Sequence, residues 1–383
     1  MLNKNVISNN KELKYYLIAF ALFCSIPPCY FWNTPIPIVF NILFSISVLI
    51  FLRHTISFPS VLLSIVYVYL TFASNNNIFG KTLVLLICTI FICDKRDLVR
   101  IWNCFKIIFS ISLLLSLPFY VLVTILGIDL PHTVISSLNA NKDDTYLLYP
   151  FLVRTSSQLF DFNFRFFGLY DEPGVIGTFS SVFLICDNFD FKKKLNIVLL
   201  VSGILSMSLP FYAVIFFYIL THVSWKYKIL LVSIISIIAV SLYNNEIIYY
   251  YVFRRFTFED GTFVGDNRTI DSFESFYKNF KNGPDYLWGL GAGTSALQNY
   301  GGSSYKQIIV DYGFLFFIVY VIALYANGFS ITKWKKSIFY GIIIFLVLYQ
   351  RPFISSIVYV FIIIVSSSVL DTSNLVKHEN KIQ

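Results

Sequence analysis

The stretch IWNCFKIIFSISLLLSLPFYVLVTILG, residues 101–127, holds one charged side chain, Lys106, among long runs of Ile, Leu, Phe and Val. A helix needs about 20 consecutive apolar residues to cross a hydrocarbon core of about 30 Å. This stretch is long enough and apolar enough to do so. It predicts a membrane-spanning helix.

The whole chain shares this apolar character. Of its 383 residues, 57% are hydrophobic and 13% are charged, which excludes an ordinary soluble globular protein. Aromatic residues make up 19% of the chain, and such side chains suit a surface that faces lipid and headgroups. The net charge of +8 does not indicate nucleic-acid binding, because Lys and Arg form short clusters between apolar runs instead of a basic stripe.

We therefore predict an all-α integral membrane protein of about 12 transmembrane helices. It forms a single polytopic domain over residues 1–383 with no internal repeat. The count is open by one or two, because the windows around Ser208 are short and Pro210 marks a break. The predicted windows are residues 15–32, 36–52, 58–74, 78–93, 101–127, 173–187, 195–208, 209–222, 228–243, 305–327, 337–350 and 353–370.

The basic residues predict which side of the membrane each loop occupies. Lys and Arg in short loops mark the cytoplasmic side, and an N-terminus inside the cell places most of these residues there. The C-terminus is then also cytoplasmic, and the short outer loops hold almost nothing basic except Arg351. Both long loops, residues 128–172 and 244–304, are predicted to lie on the outer face.

The first long loop ends in RFFGLYDEPGVIGTF, residues 165–179, where charged residues precede an apolar helix. One interpretation is local: Asp171 or Glu172 caps the helix and Pro173 fills its first turn. Capping does not explain Arg165. It also leaves unexplained the glycines Gly168, Gly174 and Gly177, which would let a backbone or a lipid headgroup come close. Capping and a functional role in binding a headgroup are compatible, because backbone N–H groups at the start of a helix also attract phosphate.

The second long loop contains NRTIDSFESFYKNFKNGPDYLWGLGAGTS, residues 267–295. Ile270, Phe273, Phe276, Tyr277 and Phe280 share one helical face, which predicts an amphipathic helix lying along the membrane surface or closing over a cavity. Gly283 and Pro284 end it. The following GLGAGT, with Gly291 at its centre, is typical of a re-entry turn, and a backbone nest for anions is the alternative.

The residue types also limit the chemistry. Arg165 and Arg268 each precede a helical pattern beside aromatic sequence, unlike Lys142, Lys278 and Lys281, which suit a solvated loop surface. His132 is interpreted as a loop residue, although its predicted side of the membrane keeps it a candidate base. No metal site and no cofactor are predicted, because no ligand spacing supports one.

Together, RFFGLYDEPGVIGT, NRTIDSF, GLGAGT and VDYGFLFFIVYV, in this order among many apolar windows, resemble the O-antigen polymerase (Wzy) and O-antigen ligase family of bacterial envelopes. The motifs lie in residues 150–330. The resemblance implies a glycosyltransferase of the inner membrane that uses an undecaprenyl-pyrophosphate-linked glycan. It implies membrane lipid, a chain-length regulator and a flippase as partners.

The resemblance also implies site residues. Arg165 matches the arginine of the first loop and Arg268 that of the second, so both would meet the pyrophosphate, with Arg254 or Arg255 as a further partner. Asp171 and Glu172 are the candidates for orienting or deprotonating the acceptor hydroxyl. The remaining candidate substrate-binding residues are Gly168, Gly174, Gly291 and Tyr305.

One departure from the family favours a polymerase over a ligase. Ligases carry a His shortly before the span that follows the large loop, where this chain has Ser303, Ser304, Tyr305 and Lys306. The ligase remains an alternative, and so does a flippase for the same lipid-linked glycan. A transporter, however, draws ionisable groups to the middle of its bundle, and the apolar windows here hold few of them.

Overall fold

The computed structural model describes residues 2–27, 30, 34–74, 78–136, 145–156, 164–222, 224–246, 249, 253–259, 262–263, 271–297, 304–330 and 332–379. Within these residues the chain is mostly helical, as predicted. The helices are α1 (Leu2–Cys24), α2 (Ile36–Phe51), α3 (Phe58–Ala73), α4 (Ile78–Leu86), α5 (Cys88–Ile92), α6 (Lys95–Tyr120), α7 (Pro173–Cys186), α8 (Lys194–Leu205), α9 (Leu209–His222), α10 (Trp225–Leu242), α11 (Asp271–Phe280), α12 (Thr294–Leu297), α13 (Tyr305–Tyr312), α14 (Phe314–Ala326), α15 (Trp334–Gln350) and α16 (Ile357–Glu379).

Each predicted apolar window holds a helix, but backbone breaks divide some of them. Gly313, at φ +89°, separates α13 from α14 inside the window 305–327. Met207, at φ +47°, lies in the turn between α8 and α9. Both residues adopt left-handed backbone, which a helix cannot continue through. A five-residue π-turn, Val121–Ile125, extends α6 beyond Pro118 and Tyr120.

The predicted number of membrane spans is not supported. Among the described residues, Lys95–Ile125 is the one helix long and apolar enough to cross a membrane, with 31 residues and a mean hydropathy of 2.2. Eight further apolar helical stretches among these residues are 10–17 residues long. A straight span needs about 20 residues, and these stretches, like most of the apolar windows that predict them, are shorter than that.

Helix α7 lies at the centre of the packing. Every residue from Pro173 to Cys186 is buried, and α8, α9, α15 and α16 pack against this helix. An aromatic cluster joins α6, α7 and α16, in which Phe105 contacts Phe179, Phe183 and Phe361 edge to face. A helix buried on all sides holds the residue before its first turn in a defined position.

The first long loop contains strands that the prediction of an all-α fold did not include. β1 (Thr133–Ser136), β2 (Thr145–Tyr149) and β3 (Leu152–Ser156) form an antiparallel sheet in that order. Tyr146 and Leu148 lie two positions apart on β2 and are both buried, whereas the residues on either side of Tyr146 are partly exposed. This alternation is the period-two pattern of a strand with one covered face, and it is too short to stand out beside the long apolar windows.

The amphipathic helix predicted in the second long loop is confirmed as α11, and Gly283 and Pro284 follow it as predicted. Its buried Phe273 and Phe280 pack against Ile309 and Val310 of α13. Its apolar face is therefore covered by the protein. Ile270, which was assigned to the same face, lies outside the described residues. The two short strands β4 (Phe258–Glu259) and β5 (Thr262–Phe263) pair earlier in this loop.

Candidate functional site

The residue before α7 forms a buried ion pair with a distant part of the chain. Nη2 of Arg351 donates a hydrogen bond to Oε2 of Glu172 over 2.7 Å. The Arg351 side chain is 2% exposed, whereas that of Glu172 is 27% exposed. Arg351 follows α15, and its backbone N–H donates to the carbonyl of Val347. The pair therefore joins the start of the central helix to the α15–α16 connection.

Glu172 occupies the N-cap position of α7, but its side chain makes no capping hydrogen bond. The capping interpretation is therefore wrong for this carboxylate, which reaches Arg351 instead. Pro173 does fill the first turn, as predicted. Burial lowers the pKa of Arg351, but the charges of Glu172, Tyr359 and Asp171 raise it further than burial lowers it, so the guanidinium stays protonated. Glu172 thus contacts this cation, and Asp171 is near enough for its charge to raise the pKa of Arg351.

Arg165 lies against the C-terminal end of α8. Its Nε donates to the carbonyl of Ser206 over 3.2 Å, and the neighbouring Phe166 N–H donates to the carbonyl of Leu205 over 2.9 Å. The last carbonyls of a helix lack intrahelical partners and attract positive charge. These contacts fix Arg165 at the end of α8.

Protein atoms fill the space beside the glycines of this segment. Gly168 has φ +56°, and its carbonyl accepts a hydrogen bond from Val153 of β3 over 2.7 Å. A Cβ on Gly177 would lie 2.3 Å from Cβ of Ser208, so α7 touches the α8–α9 turn directly. The carbonyl of Gly174 accepts from Thr178 within the helix. The close approach expected at Gly177 is therefore made by the side chain of Ser208.

The glycine-rich turn of the second loop encloses a carboxylate of the chain itself. Oδ1 of Asp311 accepts from the backbone N–H of Ser295 over 2.9 Å, and Oδ2 accepts from its hydroxyl over 3.1 Å. Gly291, at φ +104°, donates its N–H to the Asp311 carbonyl over 3.1 Å. The anion that accepts hydrogen bonds from this turn is thus the side chain of Asp311.

The remaining candidates of the second loop occupy separate places. Arg268 lies outside the described residues, as does the side chain of Arg255. Arg254 is half-buried on the short helical turn Phe253–Phe256. Tyr305 begins α13, and its ring lies 5.7 Å from that of Phe317. The described contacts join Glu172 to Arg351, and they place Arg165 against α8.

Arg351 is the site residue that the sequence-based candidates did not include. One signal could have found it: in the predicted topology it is the basic residue left in a short outer loop. Nothing local links it to Glu172, which is 179 positions away in the chain. Within the described part of the chain, no group of three or more His, Cys, Asp and Glu side chains is arranged to hold a metal ion.

The fold and this site define a mostly helical protein with a carboxylate and an arginine paired at the start of its central helix. Comparisons of the chain with protein-family models, curated proteins and solved structures found no match.

Proposed function

We propose that this protein is a multi-pass inner-membrane glycosyltransferase. It would polymerise undecaprenyl-pyrophosphate-linked repeat units into O-antigen or a related surface polysaccharide at the outer face of the membrane. The proposal rests on the resemblance of the sequence motifs to that family, and the geometry at the start of α7 supports it. Both termini would be cytoplasmic, with a flippase and a chain-length regulator as partners.

Apolar side chains on the surface support an embedded protein. Phe58, Ile65 and Phe72 of α3 are 80%, 61% and 79% exposed. Their spacing of seven residues places them on one face of the helix. Val61 and Tyr69 are exposed between them, at 44% and 51%. A continuous apolar face of this kind needs a cover, and lipid provides one. In that setting the shorter helices would span with help from their flanking turns.

The observation that carries the proposed chemistry is the Glu172–Arg351 pair where the first long loop meets α7. It places a partly accessible carboxylate beside a buried, permanently charged guanidinium. Glycosyl transfer to an alcohol needs a group that accepts the hydroxyl proton. We assign this role to Asp171 and Glu172, which follow Arg165 in the first long loop.

The arginines would bind and stabilise the leaving pyrophosphate. No nucleotide sugars are expected outside the cell, so the donor must carry its own activating group, and a lipid pyrophosphate is such a group. A guanidinium can bind phosphate oxygens bidentately and stabilise the negative charge that develops as the glycosidic bond breaks. Arg165, held in place by the Ser206 carbonyl, and Arg268 are assigned to this role. Arg254 and Arg255 are assigned as additional contacts.

The decisive experiment is reconstitution. Purified protein in lipid nanodiscs is incubated with a repeat unit on a polyprenyl pyrophosphate, and the products are separated by size. A polymerase produces a ladder of longer glycans on the lipid. If no ladder forms but the glycan moves to an added lipid A-core acceptor, the protein is a ligase. If neither product appears and the lipid-linked unit crosses a sealed vesicle bilayer, it is a flippase.

A further inference from the structure

A cavity of about 220 Å³ lies at the start of α6. This volume is several times the roughly 30 Å³ that one water occupies in the liquid, so the cavity has room for a group as large as a phosphate. At the other end of α6, the hydroxyl of Tyr120 donates to the carbonyl of Phe164 over 2.6 Å, next to Arg165. The helical rise places Lys95 roughly 37 Å from Tyr120. The cavity is therefore separate from the proposed active site.

Three charged residues line this cavity: Asp94, Lys95 and Arg96. The Asp94 carboxylate is the N-cap of α6, where its Oδ1 accepts from the backbone N–H of Arg96 over 2.8 Å. Its side chain is 14% exposed, whereas that of Arg96 is 84% exposed, with Nε of Arg96 3.6 Å from Oδ1 of Asp94. Lys95 is also exposed. Two accessible cations beside one carboxylate that already caps a helix favour an anionic ligand.

Hydroxyl groups supply further hydrogen-bond donors to the cavity. Those of Ser57 and Ser60 lie 2.7 Å apart, and Thr55 and Ser368 line the same space. A hydroxyl both donates and accepts, so it can bind the oxygens of a phosphate group. The other lining residues include the apolar side chains Ile90, Phe91, Leu98 and Ile364. The cavity therefore suits a ligand with an anionic group and an apolar part.

The lining is continuous with the exposed apolar face of α3. Along the segment that enters α3, Thr55 and Ser57 line the cavity, while Ile56 and Phe58 are 79% and 80% exposed. Phe58 is also the first residue of the apolar face that runs to Phe72. A phospholipid combines a phosphate with long apolar chains and could cover both surfaces. A free phosphate ion would leave the apolar face uncovered.

We propose that this cavity binds the phosphate of an anionic phospholipid from the cytoplasmic leaflet, whose acyl chains lie along the exposed face of α3. Lys95 and Arg96 bind the phosphate oxygens, and the cavity hydroxyls add hydrogen bonds. The proposed topology places this end of α6 on the cytoplasmic side, where anionic lipids attract basic residues next to the membrane. The inference rests on the membrane placement in the proposed function and is independent of the enzymatic activity.

The test titrates the purified protein in detergent with phosphatidylglycerol or phosphatidylcholine of equal chain length and counts bound lipid by native mass spectrometry. The wild type should bind phosphatidylglycerol more tightly. The double variant Lys95→Gln and Arg96→Gln should bind it roughly 30-fold more weakly, because it loses two phosphate-binding charges. Ser368→Leu keeps both charges but places a larger side chain in the cavity, and it should also weaken the binding. Folding of each variant is checked by its unfolding temperature.

Lys335→Gln is the matched control, because it removes an exposed lysine on the same predicted side of the membrane that does not line the cavity. It should bind phosphatidylglycerol as the wild type does. An equal loss in Lys335→Gln and in the double variant would show attraction by surface charge alone and overturn the proposal. Unchanged binding in Ser368→Leu would also overturn it, since the lipid would then lie outside the cavity.

Inorganic phosphate separates the lipid from the free anion. If phosphate at the concentration of the lipid displaces phosphatidylglycerol from the wild type, the cavity is a site for the free ion and the lipid assignment is wrong. Polymer formation is measured on the same preparations. A protein that binds the lipid selectively but makes no polymer contradicts only the proposed enzymatic activity. A protein that makes polymer without preferring phosphatidylglycerol contradicts only this inference.

Discussion

Lys106 and Asp187 join the interior of α6 to the residue that follows α7. Nζ of Lys106 lies 2.5 Å from Oδ2 of Asp187, and both side chains are almost covered, at 10% and 11% exposure. Lys193, nearer in sequence, binds the other oxygen of the same carboxylate at 2.8 Å. One acid thus holds two segments of the chain against the end of the central helix.

Asp187→Asn should therefore destabilise the protein by about 3–5 kcal/mol, because it leaves Lys106 buried without its counter-charge. Thermal unfolding in matched detergent or nanodiscs measures this loss. Asp129→Asn is the control, since the Asp129 side chain is 84% exposed, and its effect should stay within about 0.5 kcal/mol. Equal unfolding temperatures for the two variants would mean that the Lys106 pair contributes nothing.

The same carboxylate predicts a pH dependence of stability. Burial raises the pKa of Asp187, but the charge and hydrogen bond of Lys106, aided by Lys193, lower it to a net value below that of an ordinary Asp. An Asp in an unfolded chain titrates at about pH 3.9. A lowered folded-state pKa contributes stability that is present above that pH and lost as the pH falls through the folded-state pKa. The unfolding temperature of Asp187→Asn should accordingly depend less on pH below about pH 5 than that of the wild type.

Gly177→Ala should disturb the contact between α7 and the α8–α9 turn. The new Cβ would lie 2.3 Å from Cβ of Ser208, an atom that cannot move away without its backbone. Overpacking of this kind costs about 1–3 kcal/mol. Gly341→Ala, also inside a helix, is the matched control, because its Cβ would meet nothing nearer than 3.4 Å. An unfolding temperature for Gly177→Ala equal to that of Gly341→Ala would show that the two segments are not in contact.

The glycine-rich turn offers a comparison at constant backbone geometry. Gly289 and Gly293 both have φ +82°, but a Cβ on Gly289 would lie 2.5 Å from the backbone nitrogen of Gly313, whereas one on Gly293 would meet no atom within 4 Å. Both alanine variants place a Cβ on a residue with positive φ, so both introduce the same backbone strain. Gly289→Ala should additionally separate the turn from the α13–α14 junction. Hydrogen exchange of Leu290, whose N–H binds the Val310 carbonyl, should accelerate in Gly289→Ala and much less in Gly293→Ala; equal acceleration in both would contradict the crowding at Gly289.

The arginine roles predict activity losses. Arg165→Ala and Arg268→Ala should each lower polymer formation by roughly 100-fold to 1,000-fold, because each removes charge-assisted donors to the leaving pyrophosphate. Lysine keeps the charge but not the planar fork, so the lysine variants should remain impaired. Lys281 is an exposed charge beyond α11, so Lys281→Ala should leave polymer formation nearly unchanged at matched expression. Near-normal amounts of polymer from both alanine variants would contradict the pyrophosphate assignment.

Because Arg165 also binds the Ser206 carbonyl, the unfolding temperature of Arg165→Ala must be measured beside its activity.

Local patterns accounted for the positions of the helices. Apolar windows marked where most of the helices lie, and Gly283 with Pro284 marked the end of α11. These features are carried by residues that are close in sequence, so periodicity and turn chemistry suffice to predict them. The windows did not predict the break at Gly313, because a glycine inside an apolar run is also compatible with an uninterrupted helix. The number of spans was overestimated because most of the apolar windows are shorter than the about 20 residues that a straight span needs.

The partners of the charged residues were decided by the tertiary structure. The sequence by itself determined that Asp171 and Glu172 precede an apolar helix, and that a glycine-rich turn lies before α13. It did not determine that Arg351, 179 positions beyond Glu172, binds that carboxylate, or that Asp311 occupies the glycine-rich turn. The physical reason is that charge pairing depends on which side chains the packing of distant helices brings together. A hydrophobic pattern specifies which face of a helix is covered, but not which neighbour covers it.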